Sequence, residues 1–174
     1  CCVQLAKLAG AHVIVAASSQ EKLDRLFGIG ADRGINYATE KFQDQVIALY
    51  GKPRVRGSGG GIDVVVNFTG GDTWVPSLKV LRKGGRLLTC GATAGFDPKT
   101  DIRYIWTFEL DIRGSNSWHR QDLVDVLDLV RTRRLKPVID DVLPLRRAGE
   151  AFQALEQRNV FGKVVLDPWM QERQ

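Results

Sequence analysis

The stretch Gly61-Ile62-Asp63-Val64-Val65-Val66-Asn67-Phe68-Thr69-Gly70-Gly71 decides how the rest of this chain is read. Three consecutive β-branched valines, entered from glycine and left through a paired-glycine turn, predict a strand over 62–68. The apolar residues are successive rather than alternate, so both faces of the strand need cover, as in a parallel sheet. Downstream, Trp74, Leu78 and Leu81 recur at i, i+4 and i+7, the period of the crossover helix such a sheet requires.

The same alternation extends outward in both directions. Upstream, 12–17 is an apolar strand candidate, 20–27 a helix with Leu23, Leu26 and Phe27 on one face, 35–37 a short strand, and Phe42, Val46, Leu49 and Tyr50 fall at helical spacing. Downstream, 85–91 predicts a strand through Leu87-Leu88-Thr89-Cys90, and 110–115 a less apolar one. A helix over 121–130 carries Leu123, Val126, Leu127 and Val130 on one face, and Lys136-Pro137 prevents its continuation. A strand over 138–143, a helix marked by Ala148, Phe152 and Leu155, and a closing strand over 163–166 complete the chain. Repeated strand–helix alternation defines a Rossmann-like α/β fold with a doubly wound, mostly parallel sheet.

Length and composition bound this reading. At 174 residues, 44% hydrophobic and 26% charged, with mean hydropathy −0.15, the chain supports one domain with a good core and leaves no room for a two-domain enzyme. No apolar run approaches the roughly 18 residues of a membrane span, and the first residues do not resemble a signal peptide. Three cysteines, Cys1, Cys2 and Cys90, make neither a disulfide framework nor a metal cluster, so a reducing, cytoplasmic setting is expected. The formal charge of +5 comes from scattered residues. Its densest runs, 131–134 and Arg146-Arg147, fall at a helix end and a helix start, where the first complements the helix dipole; no nucleic-acid partner is expected. The only methionine is Met170, and the opening Cys1-Cys2-Val3-Gln4-Leu5-Ala6-Lys7-Leu8 reads as the middle of a helix, so N-terminal truncation is expected.

Ligands of open α/β sheets bind beyond the carboxyl ends of the strands. After the first strand come Ala16-Ala17-Ser18-Ser19-Gln20-Glu21-Lys22. An acid here would hold both hydroxyls of an adenosine ribose and repel a 2′-phosphate. Two hydroxyls and a lysine suit a phosphate instead, which favours NADPH over NADH for any bound dinucleotide. The alternative, that Ser18 or Ser19 caps the next helix, is compatible with that role. Asn67-Phe68-Thr69-Gly70-Gly71 turns the chain closely past a ligand, and Cys90-Gly91-Ala92-Thr93-Ala94-Gly95 is small enough for backbone to approach a flat ring. Cys90 is expected to be a small buried hydrophobe and not a nucleophile.

The glycine-rich 54–61 precedes a strand instead of following one and has no Gly-Lys-Ser/Thr, so it is a surface loop and not a phosphate cradle. His12 and His119 have no cysteine or acid at ligand spacing. Asp140 and Asp141 point to opposite faces of a strand, and no Gly-x-Ser-x-Gly follows a strand. The residues therefore offer binding equipment, with no catalytic group and no metal ligands to assign.

In order and spacing, Val3-Gln4-Leu5-Ala6-Lys7-Leu8-Ala9-Gly10-Ala11, Ser18-Ser19-Gln20-Glu21-Lys22, Gly30-Ala31-Asp32, Ile35-Asn36-Tyr37, Gly61-Ile62-Asp63-Val64-Val65, Gly84-Gly85-Arg86-Leu87, Gly91-Ala92-Thr93 and Phe161-Gly162-Lys163-Val164-Val165-Leu166 resemble the nucleotide-binding half of the medium-chain dehydrogenase/reductases, the zinc-type alcohol dehydrogenases and quinone oxidoreductases. The resemblance implies a hydride-transfer enzyme using NAD(P)H, which the residues after the first strand narrow to NADP(H) in preference to NAD(H), a small carbonyl or alcohol substrate, and a homodimer formed through a sheet edge. It implies that Ser18, Ser19, Lys22 and Tyr37 contact the adenosine ribose and its 2′-phosphate, and that Phe68 and Thr69 neighbour the adenine-side ribose. It implies further that Cys90, Gly91, Ala92 and Thr93 touch the nicotinamide end and that Gly114-Ser115 form a turn near the carboxamide. The segment 97–106 resembles the family's edge strand.

Against the family pattern, the first strand, its Gly-x-Gly-x-x-Gly loop and the GroES-like catalytic domain with any zinc are missing. The expected organisation is thus an N-terminally incomplete nucleotide-binding domain over 1–167 and a tail over 168–174. Trp106-Thr107-Phe108-Glu109-Leu110-Asp111-Ile112 lacks the Arg-Pro-Ser pattern of the quinone-reductase branch, which favours the alcohol dehydrogenase branch. A quinone or enone reductase of the same family is the alternative enzyme, and a dimerisation module without nucleotide binding the alternative non-enzyme. A methyltransferase-like sheet would require an acid where Ser18 and Ser19 stand.

Overall fold

In a computed structural model, which describes residues 1–57 and 59–170, the chain packs as two units, Cys2–Leu123 and a smaller one from Val124 onward that also takes in Cys1. Helix α1 (Cys2–Leu8) opens the larger unit, followed by β1 (Ile14–Ala17), α2 (Gln20–Phe27), β2 (Arg33–Asn36), α3 (Phe42–Tyr50) and β3 (Ile62–Val66). A single 3-10 turn (Gly71–Thr73) leads into α4 (Trp74–Val80), then β4 (Leu81–Thr89), α5 (Arg103–Thr107) and β5 (Asp111–Gly114). Every strand pair is parallel: β1 with β2, and β3-β4-β5 with β4 central.

Burial explains the order. Ile35, Val46 and Val80 form one buried cluster, against which Ile14 of β1 and Ile62 and Val65 of β3 pack. Leu78, Leu81 and Leu87 form a second, closed by Val65, Trp74, Leu110 and Ile112. Val80 ends α4 and Leu81 begins β4, so consecutive buried residues serve two cores. That junction departs from the helical spacing that runs through Leu81. The register passes from Ile62↔Leu81 to Val64↔Arg86, the intervening excursion including Gly84 at φ +70°. Gly61, also at positive φ, lies so close to the Val80 carbonyl and the Arg82 amide that a Cβ there would sit 2.7–2.8 Å from both.

The expectation that the strands are covered on both faces is corrected for β3: Val65 is half-buried, while Val64 and Val66 are 47% and 44% exposed. Helix α6 (Arg120–Arg131) runs across the division between the units. The smaller unit pairs β6 (Ile139–Pro144) in parallel with β7 (Lys163–Asp167) and carries α7 (Ala148–Glu156). The apolar faces expected on α6 and α7 are formed but open, since Leu123, Val126, Leu127, Phe152 and Leu155 are exposed. Of the expected tail, 171–174 lie outside the described residues, as does Ser58 of the loop 54–61. Among the described residues no helix is long and apolar enough to cross a membrane.

Two carboxylates tie the strands of the larger unit. Asp32 accepts from Lys7 Nζ at 2.8 Å and from the Val13 amide at 2.7 Å, and these bonds, the lysine's foremost, hold its carboxyl below the usual range. Asp111 on β5 meets Arg113 at 3.0 Å and Arg86 of β4 at 2.6 Å, and the two guanidiniums, Arg113 first, depress it likewise. A carboxyl whose pKa falls on folding contributes stability above its unfolded pKa and loses it as pH drops through the folded value. The melting temperature is therefore expected to fall on acidification below the ordinary carboxylate range, and less steeply in Asp111→Asn. An identical acid limb in that variant, followed by thermal unfolding across pH, contradicts the assignment.

Candidate functional site

The carboxyl ends of β1 and β2 gather four of the residues singled out in the sequence. Ala17 is in register with Asn36, and the Tyr37 amide donates to the Ala17 carbonyl at 3.0 Å, so Ser18 and Tyr37 leave the sheet side by side. Ser19 is the N-cap of α2: its backbone is extended and its Oγ accepts from the Lys22 amide at 3.3 Å, one of the orphan donors of a helix start. Capping is thus realised at Ser19, which leaves Ser18 outside the helix. Ser18 and Lys22 are half-buried and the Tyr37 ring is exposed. The first carboxylate after the strand is Glu21, within the helix.

A second group lies at the carboxyl ends of β3, β4 and β5. The Asn67 amide donates to the Leu88 carbonyl and the Ser115 amide to the Thr89 carbonyl, each at 2.8 Å. The loops beyond these strand ends are bonded to each other: the Gly71 amide donates to Gly95 at 2.8 Å and the Ala94 amide to Thr69 at 2.7 Å. Gly70 is buried at φ +68°, and a Cβ there would collide with the Gly95 carbonyl. Glycine is needed because the loops approach backbone to backbone. Beside them is an open recess of about 340 Å³ lined by Gly70, Trp74, Gly91, Ala92, Gly95 and Phe96, among others.

Gly91 and Ala92 therefore line the recess; Phe68, Thr69, Cys90, Thr93, Gly114 and Ser115 do not. Phe68 is 53% exposed. Cys90 is exposed rather than a buried hydrophobe, because β4 ends at Thr89 and places it on the exit loop. Gly114 is the last residue of β5, paired with Thr89, so Gly114-Ser115 is a strand end where a turn was expected. Sequence reasoning misses Trp74 and Phe96. Trp74 reads only as a helix-face residue, and Phe96 is an aromatic just past a glycine-rich exit, 88% exposed.

The remaining candidates hold local structure. The His119 amide donates to Asp122 at 2.7 Å at the start of α6, and His12 lies 3.6 Å from the Asp32 carboxylate that Lys7 already occupies. Asp140 sits at a register shift between Ile139 and Asp141. Among the described residues no three of His, Cys, Asp and Glu come together as a metal site. What the two groups offer is hydroxyl donors, a cation and close backbone: the means to bind an elongated anionic ligand along strand ends.

Parallel strands with small and cationic residues beyond their carboxyl ends place the fold in the Rossmann-like class. Residues 1–132 match the family of zinc-binding dehydrogenases, and the chain belongs to that family, within the medium-chain dehydrogenase/reductases. It is 30% identical to a crotonyl-CoA reductase of Streptomyces avermitilis over 92% of this chain and 38% of that protein. The crystal structure of an NAD-dependent alcohol dehydrogenase superposes with TM-score 0.83 at 38% identity, covering 95% of this chain and 46% of the other. A 2-octenoyl-CoA carboxylase reductase solved with NADP and 2-octenoyl-CoA superposes with TM-score 0.81 at 26% identity, covering 94% and 39%. The chain spans less than half the length of each of these proteins.

Proposed function

We propose that residues 1–167 are the cofactor-binding portion of an NADPH-preferring, zinc-type alcohol dehydrogenase-like oxidoreductase acting on a small carbonyl or alcohol. The observation that carries this reading is the end of β1, where Ser18, Ser19 and Lys22 stand with Tyr37 and no carboxylate precedes Glu21. Hydroxyls and an ammonium suit a 2′-phosphate, whereas a carboxylate there would select the free ribose. The relative solved with NADP supports it, while the NAD-dependent alcohol dehydrogenase favours the other cofactor, so the preference rests on the residues after β1.

When bound, the cofactor supplies the hydride. This chain's own residues bind and orient it. Ser18, Lys22 and Tyr37 hold the adenosine ribose and its phosphate, Phe68 and Thr69 flank the ribose, and the loop 90–93 with Gly114 and Ser115 borders the nicotinamide end. Proton chemistry and any zinc belong to a separate catalytic domain. Dimerisation through a sheet edge is part of the same reading. The segment 97–106, expected to resemble the family's edge strand, forms no strand: it is irregular up to Ile102 and then the helix α5, with Ile102 and Trp106 each about two-thirds exposed.

The sheet supports the proposed domain as well. Strands β1 and β3 pack against one buried cluster, yet they are not bonded to each other and belong to separate parallel sheets. A further parallel strand between them would join the two sheets into one and extend the cover over Ile14 and Ile62. An enone reductase is the second reading, favoured by the likeness to a crotonyl-CoA reductase. The test is a titration of the intact protein with both cofactors. NADPH is expected to bind at least about tenfold tighter than NADH, one charge-assisted contact being worth that much; equal affinities, or tighter NADH, overturn the preference.

A further inference from the structure

Among the described residues the buried polar side chains are Asn67 and Ser77, and they are bonded to each other. Asn67 is 6% exposed and uses its whole amide. Its Oδ1 accepts from the Thr69 and Gly70 amides, both at 2.9 Å, and its Nδ2 donates to Thr73 Oγ1 at 3.0 Å and Ser77 Oγ at 2.9 Å. Two lone pairs and two hydrogens are thereby spent, so the amide has one orientation. On one side it holds consecutive N–H groups of the loop after β3, as asparagine does in an Asx turn. On the other it is anchored to the start of α4. The Thr73 hydroxyl completes the circuit by donating to the Gly70 carbonyl at 2.6 Å.

The consequence reaches the opposite loop. Thr69 accepts from Ala94, and Gly71 donates to Gly95, so the position that Asn67 imposes on 69–71 is passed to 94–95. Gly70 and Gly95, one from each loop, both line the recess with Gly91 and Ala92. Removing the Asn67 acceptor strands the amide of buried Gly70, which then recovers a partner only by moving, and the second loop moves with it.

We propose that Asn67 is a positioning residue of the cofactor site, fixing through hydrogen bonds to Thr69 and Gly70 the two loops that border the nicotinamide-side recess. This rests on the reading of 68–69 and 90–93 as cofactor contacts. It also sets Asn67 apart from Ser18 and Lys22: they select between two cofactors, while Asn67 serves both.

The experiment measures Kd for NADPH and NADH in the intact protein. Asn67→Leu is expected to raise both by about tenfold, leaving their ratio unchanged, as suits one lost hydrogen-bonded anchor. Val46→Ala, a core truncation on α3 that touches neither loop, should lower the melting temperature and leave both Kd values in place. Should Asn67→Leu not fold, Thr73→Val, which removes the hydroxyl bonded to Gly70, is expected to raise both by about threefold. Wild-type Kd values in Asn67→Leu, or in Thr73→Val where it stands in, overturn the proposal. So does a shift in Val46→Ala equal to that in Asn67→Leu, because the effect would then track stability alone. If the wild-type protein binds neither cofactor, the functional reading falls and this inference with it; binding that Asn67→Leu leaves untouched sinks only the inference.

Discussion

Leu87→Ala is expected to cost the larger unit about 3–4 kcal/mol, within the range for a fully buried leucine truncated in a core that cannot collapse onto the gap. Leu87 is 0% exposed. It lies mid-strand on β4, in register with Val65 on one side and Ile112 on the other, and shares its cluster with Leu78 and Leu81. Those ladder bonds fix the backbone on both sides, so neighbouring side chains cannot close in and the lost contacts stay lost. Val66→Ala is the contrast. Val66 lies on the neighbouring strand but is 44% exposed, so much of its surface is already in water and its truncation should cost about 1 kcal/mol or less. Urea denaturation of the two variants separates them by midpoint at constant slope. A Leu87→Ala cost no greater than that of Val66→Ala would mean that β4 is not the centre of this core.

That contrast also marks what can be seen in the sequence. The valine run at 64–66 announces its strand because β-branching and continuous apolarity are local properties, and the alternation of strands with helical spacing implies the parallel pairing. The burial of β3 is not legible in the same way, because how many faces of a strand are covered depends on which elements reach it. The end of α4 is hidden for a related reason: Leu81 satisfies both a helical spacing and a strand start, and only its register with Ile62 settles the choice. At the site, Ser18, Ser19, Lys22 and Tyr37 are legible because parallel strands bring successive carboxyl ends together. Trp74 and Phe96 are not, since their place in the recess depends on two loops meeting through backbone bonds that involve Thr69, Gly71, Ala94 and Gly95. Such bonds leave no side-chain pattern beyond the glycines themselves.

The double variant Ser18→Ala/Lys22→Ala, in the intact protein, is expected to weaken NADPH about a hundredfold and NADH by no more than about threefold. Two charge-assisted contacts of roughly 1.5–3 kcal/mol each, partly replaced by water, leave a loss near 2.7 kcal/mol, and 1.4 kcal/mol corresponds to tenfold. The fold should tolerate both changes. Ser18 is not the cap of α2, because the hydroxyl that accepts the Lys22 amide belongs to Ser19; the corresponding Ser19→Ala would mix a capping loss of about 1 kcal/mol into the result. Lys22 lies inside α2, where alanine is at least as good a helix former, and the amide that bonds Ser19 is backbone and survives. Tyr37 keeps its place through its own amide bond to Ala17, so the ribose side remains framed in the variant and NADH reports on it. The discriminating quantity is the ratio of the two affinities, measured by fluorescence titration at fixed ionic strength, since screening weakens NADPH, with its additional 2′-phosphate, more than NADH. Equal losses for the two cofactors would show that these residues support the strand end without reading the 2′-phosphate, and the NADPH preference would have to be abandoned.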